Sequence, residues 1–354
     1  MARTYTDPVV LVAVQPHMTL ADYASEKAFG QKLATLMAPL ASEHHSVLAV
    51  LPEDIGAFLG LAGAGHGLRE APNLDAAFRA IALRHLPKIL RHRLLNGAQD
   101  LREALHLTLS PRVGCAYRRT ICSLAKELGI WIVGGSALLP KNRFGADPDA
   151  FAPQGHAVYN VSITADPSGQ IVSTVQKVNL VPSQEDHLGL TPGDPDQAST
   201  FSFAGHRTGV AICYDAFTKA HTNHEPSFCP VAPYLARAGA EIIAQPSANP
   251  WPWEEAWPLD PHRTRKDAWE SESLEAAMAS LPTVRYGINA QLLAGFLGLH
   301  FDGRSRIFGR TPDGTVQVIA EAPRADLSPD AECLVRAQVE FPDWREPTDT
   351  HPPH

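Results

Sequence analysis

The sequence has no long hydrophobic run: no window approaches about 18 uninterrupted apolar residues, and residues 1–8 lack an apolar core. A membrane-spanning helix and a secretory leader are therefore not expected, and a cytoplasmic location is. Cysteines are few. The five, at 115, 122, 213, 229 and 333, are odd in number and irregularly spaced, which argues against a disulfide framework and leaves a thiol free for chemistry. Positive charge is in deficit, with 30 Lys and Arg against 38 Asp and Glu and a net charge of −8. No overall field recruits nucleic acid or anionic lipid, and a small neutral or polar ligand fits better. There is no P-loop, no GxGxxG after a strand, no repeat and no low-complexity segment, so nucleotide binding has no support. His221, His224 and Cys229 lie close together but lack the tight pairs of a zinc site, so neither a metal nor a cofactor is expected.

What is present is a 354-residue chain with 44% hydrophobic content, enough for a substantial core. Its 30 prolines cluster at 226–261 and from Pro342 onward, where irregular structure is expected. The stretch GVAICYD at 209–215 reads as a short buried strand that delivers a thiol, Cys213, at its carboxyl end. In layered α/β proteins that edge is where ligand crevices open. Two other chemically capable side chains occupy similar places. The strand expected at 46–51 runs into Glu53, and the hairpin of strands at 159–163 and 171–175, turned at Asp166 to Gly169, runs into Lys177. Taken singly, each has a bland reading as a paired buried glutamate or a solvated lysine.

Between these points the pattern alternates. Strands are expected at 9–15, 130–134, 240–244, 285–290, 307–308, 316–319 and 334–339. Helices are expected at 18–38, stopped by Pro39, at 117–128, ended by Gly129, and at 233–239. From 76 to 99 there are five Lys or Arg and no acid among spaced leucines and isoleucines, read as the solvated face of a surface helix broken at Pro87; a basic partner- or membrane-facing helix is the alternative.

Taken in order, LAVLPED, VQKVNLVPSQED and GVAICYDAF resemble the nitrilase superfamily of carbon–nitrogen hydrolases. Supporting marks are LGIWIVGGS at 128–136, YNVSITADPSGQI at 159–171, AGAEIIAQPSAN at 238–249 and FDGRSRIFGRTPDG at 301–314. The resemblance implies a four-layer α-β-β-α sandwich over residues 8–325, followed by a partly irregular extension at 326–354, and pairing of the chain into a homodimer or larger assembly. It implies Cys213 as nucleophile, Glu53 as general base, Lys177 and the Tyr214 N–H as oxyanion donors, and Glu185 as a second glutamate. The chemistry is coherent. A nearby lysine and base bring a thiol toward its reactive thiolate, and one carboxylate can shuttle the proton through both halves of an acyl transfer.

The expected activity is hydrolysis of a nonpeptide C–N bond, of a linear amide or N-carbamoyl amide, without a cofactor. An organic nitrile, or a silent binding role, is the alternative. The tryptophan-rich loop after Asn249 offers Trp251 and Trp253 as candidate substrate-binding residues beside Asn249; Trp251, Trp253 and Trp257 are read either as a hydrophobic mini-core or as a pocket wall for a bulky acyl group. The sequence departs from the family pattern at 66–115 and 218–232, which bears on the substrate.

Overall fold

The computed structural model describes residues 7–62, 71–141, 151, 153–185 and 187–341. The strands of its two large sheets are β1 (Val9–Gln15), β2 (Ser46–Val50), β3 (Trp131–Val133), β4 (Ala137–Pro140), β5 (Val158–Ala165), β6 (Ile171–Gln176), β7 (Thr200–Phe203), β8 (His206–Val210), β9 (Ile242–Ser247), β10 (Tyr286–Gln291), β11 (Arg306–Arg310), β12 (Val316–Glu321) and β13 (Cys333–Val339). The helices are α1 (Glu26–Met37), α2 (Leu74–Leu95), α3 (Leu101–Leu128), α4 (Ala232–Arg237), α5 (Arg265–Glu272) and α6 (Leu274–Ala279).

One sheet runs β13-β1-β2-β3-β5-β4, with β6 paired to β5; the other runs β12-β11-β10-β9-β8-β7. The layering follows from side-chain alternation along each strand. Val10, Val12 and Val14 of β1 pack with Val47 and Ala49 against Phe29, Leu33, Leu109 and Ile121 of α1 and α3. The intervening Val9, Leu11 and Ala13 point the other way, onto Val210, Ile242, Ala244 and Ile288 of the second sheet. That sheet buries its far face, through Ala211, Ile243 and Phe308, against Leu235, Leu274 and Met278 of α4 and α6. Each central strand is apolar on both faces because it lies inside a four-layer α-β-β-α sandwich.

In each sheet the central strands are parallel: β1 with β2 and β2 with β3, then β8 with β9 and β9 with β10. Their carboxyl ends therefore open on one side. The turns there are shaped by close approaches. Gly135 has φ +69°, and a Cβ at that position would stand 2.0 Å from the Pro52 carbonyl oxygen, so only glycine lets β3 exit past the segment that carries Glu53.

Several expectations change. The helix expected from 18 begins at Glu26, where the Ser25 side chain accepts from the Ala28 N–H; residues 17 and 18 form a short strand instead. Pro39 leads into a 3-10 turn, Ala38–Ser42. Pro87 does not break α2, and α3 begins at Leu101 with Pro111 inside it, far before residue 117. Both rings sit on exposed positions, so each removes one hydrogen bond without a buried clash, and the long helices are held on either side by burial. Arg79, Arg84, Lys88, Arg91 and Arg93 of α2 are exposed, and so are Leu83, Leu86, Leu90, Leu94 and Leu95, an exposure that fits the solvated-face and the partner-facing readings alike. Gly129 ends α3 in the left-handed region at φ +68°. Beyond residue 325 the chain is not an appendage: β13 pairs with all seven residues of β1. The proline-rich tail from Pro342 lies outside the described residues. No helix among them is long and apolar enough to cross a membrane.

Candidate active site

Three strand ends meet where the sheets open. Glu53 follows β2, Lys177 directly follows β6, and Cys213 stands three residues past β8 in a 3-10 turn, Cys213–Ala216. All three side chains are buried. The Lys177 Nζ donates to Glu53 Oε1 at 2.7 Å and also to Glu185 Oε2. Asn160, on β5, donates to Glu53 Oε1 at 2.9 Å and to Glu185 Oε1 at 3.2 Å, holding the two carboxylates around the ammonium. The one remaining oxygen, Glu53 Oε2, accepts from the Ala248 N–H at 3.2 Å, and the Val181 N–H adds a second bond to Glu185 Oε2 at 2.9 Å.

Cys213 has φ +49°, a conformation that costs a non-glycine residue about 1–3 kcal/mol. It is held there from both sides. The Gln245 side chain donates to the Cys213 carbonyl at 2.9 Å, and the Asp215 N–H closes the turn onto the Ile212 carbonyl at 3.0 Å. Asp215 then ties this turn to the Lys177 strand end. Its carboxylate accepts the Val178 N–H at 3.1 Å, the Asn179 N–H at 2.7 Å and the Asn179 side chain at 3.0 Å. Burial lifts the Asp215 pKa to about 7 against the pull of those amides. The Tyr214 N–H opens the same turn, where amides have no acceptor within the helix.

The electrostatics follow from burial. Burial pushes the Glu53 carboxyl above its ordinary value, Lys177 pulls it down and Glu185 pushes it up again. Burial alone would depress the Lys177 ammonium, but Glu185, Glu53 and Cys213 outweigh it and hold the group well above the usual lysine range. Burial and the Glu53 carboxylate push the Cys213 thiol well up, with Lys177 opposing. This direction runs against the expectation of a thiol drawn toward neutrality by its lysine: burial and Glu53 outweigh Lys177 and favour the protonated group, which is hydrogen-bonded to Glu53.

Beside these groups lies a cavity of about 120 Å³. Glu53, Asp54, Lys177, Gln184 and Glu185 form its polar end, and Phe58, Leu61, Phe78, Leu109, Val113 and Phe301 are among its apolar walls. Leu74 and Phe78 come from α2 and His106, Leu109 and Val113 from α3, so residues 74–113, within the segment where the sequence departs from the family pattern, build one wall. Trp251 and Trp253 do not line this cavity. They are buried in an aromatic cluster with Trp257, Trp269 and Phe217, and the Arg265 guanidinium sits 4.7–5.4 Å from four of these rings. Asn249 is a joint in the same cluster: it donates to the Trp251 carbonyl at 2.6 Å and accepts from Arg265 Nε at 2.9 Å. The mini-core reading of the tryptophans is the one this packing matches.

The segment at 218–232 packs on Tyr214. The Tyr214 hydroxyl donates to Glu225 at 2.7 Å, and its ring stacks on His221 at 3.9 Å. His221 is thus part of the aromatic packing, and no group of three potential metal ligands occurs among the described residues. Sequence reasoning did not single out Asn160, Asp215 as a tether, or His106. Asn160 lies in the quoted stretch YNVSITADPSGQI, where a polar residue inside an apolar strand was the available signal.

No curated relative matches at the sequence level. Solved structures do match in fold. An amidase from Nesterenkonia sp. superposes with a TM-score of 0.55 at 17% identity, covering 97% of this chain and 92% of that one. A serine-for-cysteine mutant of the Nesterenkonia sp. AN1 amidase from the nitrilase superfamily gives 0.54 at 16%, covering 95% and 92%. A glutamine-for-glutamate mutant of the amidase from Nesterenkonia sp. AN1, showing Michael addition of acrylamide at its active-site cysteine, gives 0.55 at 16%, covering 94% and 92%. At these identities the likeness is one of fold. The carbon–nitrogen hydrolase family itself matches residues 13–345, from the first strand through the last, and on that match the chain belongs to this family.

Proposed function

We propose that the protein hydrolyses a neutral linear amide with an apolar acyl group, through a thioester on Cys213. The observation that carries this reading is one ammonium held between two carboxylates at the polar end of an apolar cavity, with the strained buried thiol of Cys213 hydrogen-bonded to one of those carboxylates, Glu53, behind the lining. Glu53 takes the thiol proton as Sγ attacks the carbonyl carbon. The new oxyanion is met by Lys177 and the Tyr214 N–H. An ammonium has three N–H donors, and two of those on Lys177 are committed to Glu53 and Glu185, which leaves the third for the oxyanion. One such donor contributes about 3–4 kcal/mol to the barrier. Glu53 next gives its proton to the leaving nitrogen as the C–N bond breaks, then takes one from the water that attacks the thioester, releasing carboxylic acid and free thiol.

Charge and shape narrow the substrate. Glu53 and Glu185 face the cavity against the single ammonium of Lys177, so an anionic acyl group is disfavoured and an N-carbamoyl amino acid fits less well than a neutral amide. A volume near 120 Å³ approaches the roughly 150 Å³ of an apolar cavity that admits benzene. The test is ammonia release from acetamide, an arylacetamide, an N-carbamoyl amino acid and the matching nitrile. The arylacetamide is expected to have the highest kcat/KM; turnover of the nitrile alone would overturn the reading.

We also infer a homodimer. The outer face of the second sheet packs on α4 and α6, helices of 6 residues each, thin cover for six strands. Light scattering at micromolar concentration should give twice the chain mass, and a stable monomer would count against it.

A further inference from the structure

The apolar wall of the cavity contains one imidazole. His106 lies on α3, buried, with Phe78 edge-on to it at 6.1 Å between centroids and with Leu109 and Val113 on the same helix. One ring nitrogen is engaged with the Leu188 backbone carbonyl, which can only accept, so that nitrogen carries the hydrogen. A neutral imidazole with one N–H committed keeps a lone pair on its other nitrogen, and this ring is part of the cavity lining. The charges that bear most on the ring are Asp100, Arg102 and Glu103, on the outer turn of α3, rather than Glu53 or Lys177. Burial holds the His106 pKa down to about 4, so the ring stays neutral where the enzyme would work.

We propose that His106 is a specificity-determining residue that accepts a hydrogen bond from the acyl part of the substrate, so that the preferred amide has an apolar or aromatic body ending in a hydroxyl or N–H donor. This rests on the hydrolase reading above and deepens it. A polar group in an otherwise apolar wall fixes orientation, and it discriminates strongly because a ligand lacking the donor leaves the buried acceptor unmatched. The same lone pair repels carboxylate and other acceptor-only groups.

The experiment compares phenylacetamide with its ring-hydroxylated analogues in the wild type, His106→Leu and His106→Gln. In the wild type the best-placed hydroxyl should raise kcat/KM by about tenfold, the effect of one net hydrogen bond. His106→Leu should bring that ratio to about one, and His106→Gln, which keeps an acceptor, should restore part of it. Calorimetric binding of the same amides to Cys213→Ala protein reads the subsite without turnover. Hydroxyl preference in binding with no hydrolysis by the wild type would sustain the subsite and count against the reaction. A preference that is absent in the wild type, or that survives in His106→Leu, overturns the proposal.

Discussion

Two cations are buried to the same depth and have opposite surroundings. Lys177 and Arg265 are each only 1% exposed, and both lie near Cys213. Lys177 is held by two carboxylates and borders the cavity. Arg265 has the amide oxygen of Asn249 as a partner and four aromatic rings around it, while its Nη1 is buried without a hydrogen bond among the described residues. Burial lowers its pKa to about 10, with Cys213 and Glu272 working against that, whereas Lys177 is driven upward by its carboxylates. Burial of a charge therefore does not by itself mark a site. The ion that borders open space and has acid–base partners is placed to meet a substrate; the one enclosed by indole rings fastens two segments of chain together.

The comparison breaks most visibly at Lys177. Lys177→Met should lower kcat/KM by about a thousandfold or more, since it removes a charge used after attack, and should cost about 3–5 kcal/mol in denaturant unfolding by leaving two buried carboxylates unpaired. Arg265→Met should stay within about tenfold of wild-type kcat/KM while unfolding more easily, because cation–π contacts and the bond to Asn249 are lost. Equal kinetic losses in the two variants would erase the distinction.

Glu53→Gln separates chemistry from stability in the other direction. Activity should fall at least a hundredfold, yet the fold should not weaken at neutral pH. The sign follows from the raised pKa: the folded state favours the neutral carboxyl, so wild-type stability is fullest below the ordinary carboxylate range and falls as pH rises through the raised value. The substituted amide is neutral throughout, so urea titrations of Glu53→Gln across pH should show that part of the slope flattened. The rate profile of the wild type sharpens the same point. Its acid limb should lie above the ordinary glutamate value of about 4.3, and no rise should appear near pH 8.5, where an ordinary thiol ionises. A rise there would mean that a stored thiolate, not proton transfer to Glu53, starts the reaction.

The smallest kinetic effect is expected at the tryptophans. Trp253→Ala should cost about 3–5 kcal/mol of stability and weaken acetamide and an arylacetamide alike, because the ring packs on Trp269 outside the cavity. Phe78→Ala, which enlarges the cavity, should instead change the ratio of kcat/KM between them. An unequal effect of Trp253→Ala would move the indoles back to the substrate.

Most central strands and the three strand-end residues are legible in the sequence because apolar runs and turn chemistry are local; the order of strands within the sheets, and the strands β4 and β7, are not. VVLVAVQ has to be buried on both faces, Glu53 and Cys213 follow similar apolar runs, and Lys177 follows the second strand of a hairpin marked by its turn residues. Helix extent is not legible where tertiary packing overrides a local signal, as at Pro87 and Pro111, or where an earlier cap at Asp100 starts a helix that reads locally as beginning near residue 117. The site is legible as residue types at strand ends. Its bracing by Asn160, Asp215 and Gln245 is not, since these bonds span from 25 to 107 residues of chain and leave no periodic trace. The tryptophans mislead for a related reason: an indole in a proline-rich loop has the same local sequence whether it faces a ligand or another indole.

The central claim is that Cys213 is the nucleophile and that Glu53 and Lys177 make it one. It is tested most directly by exposing the folded protein to acrylamide and mapping the adduct by peptide mass. The account predicts one adduct, at Cys213, forming faster than any at Cys115, Cys122, Cys229 or Cys333 and slowed at least tenfold in Lys177→Met. Equal labelling of all five cysteines, or amide turnover that persists in Cys213→Ala, would contradict it.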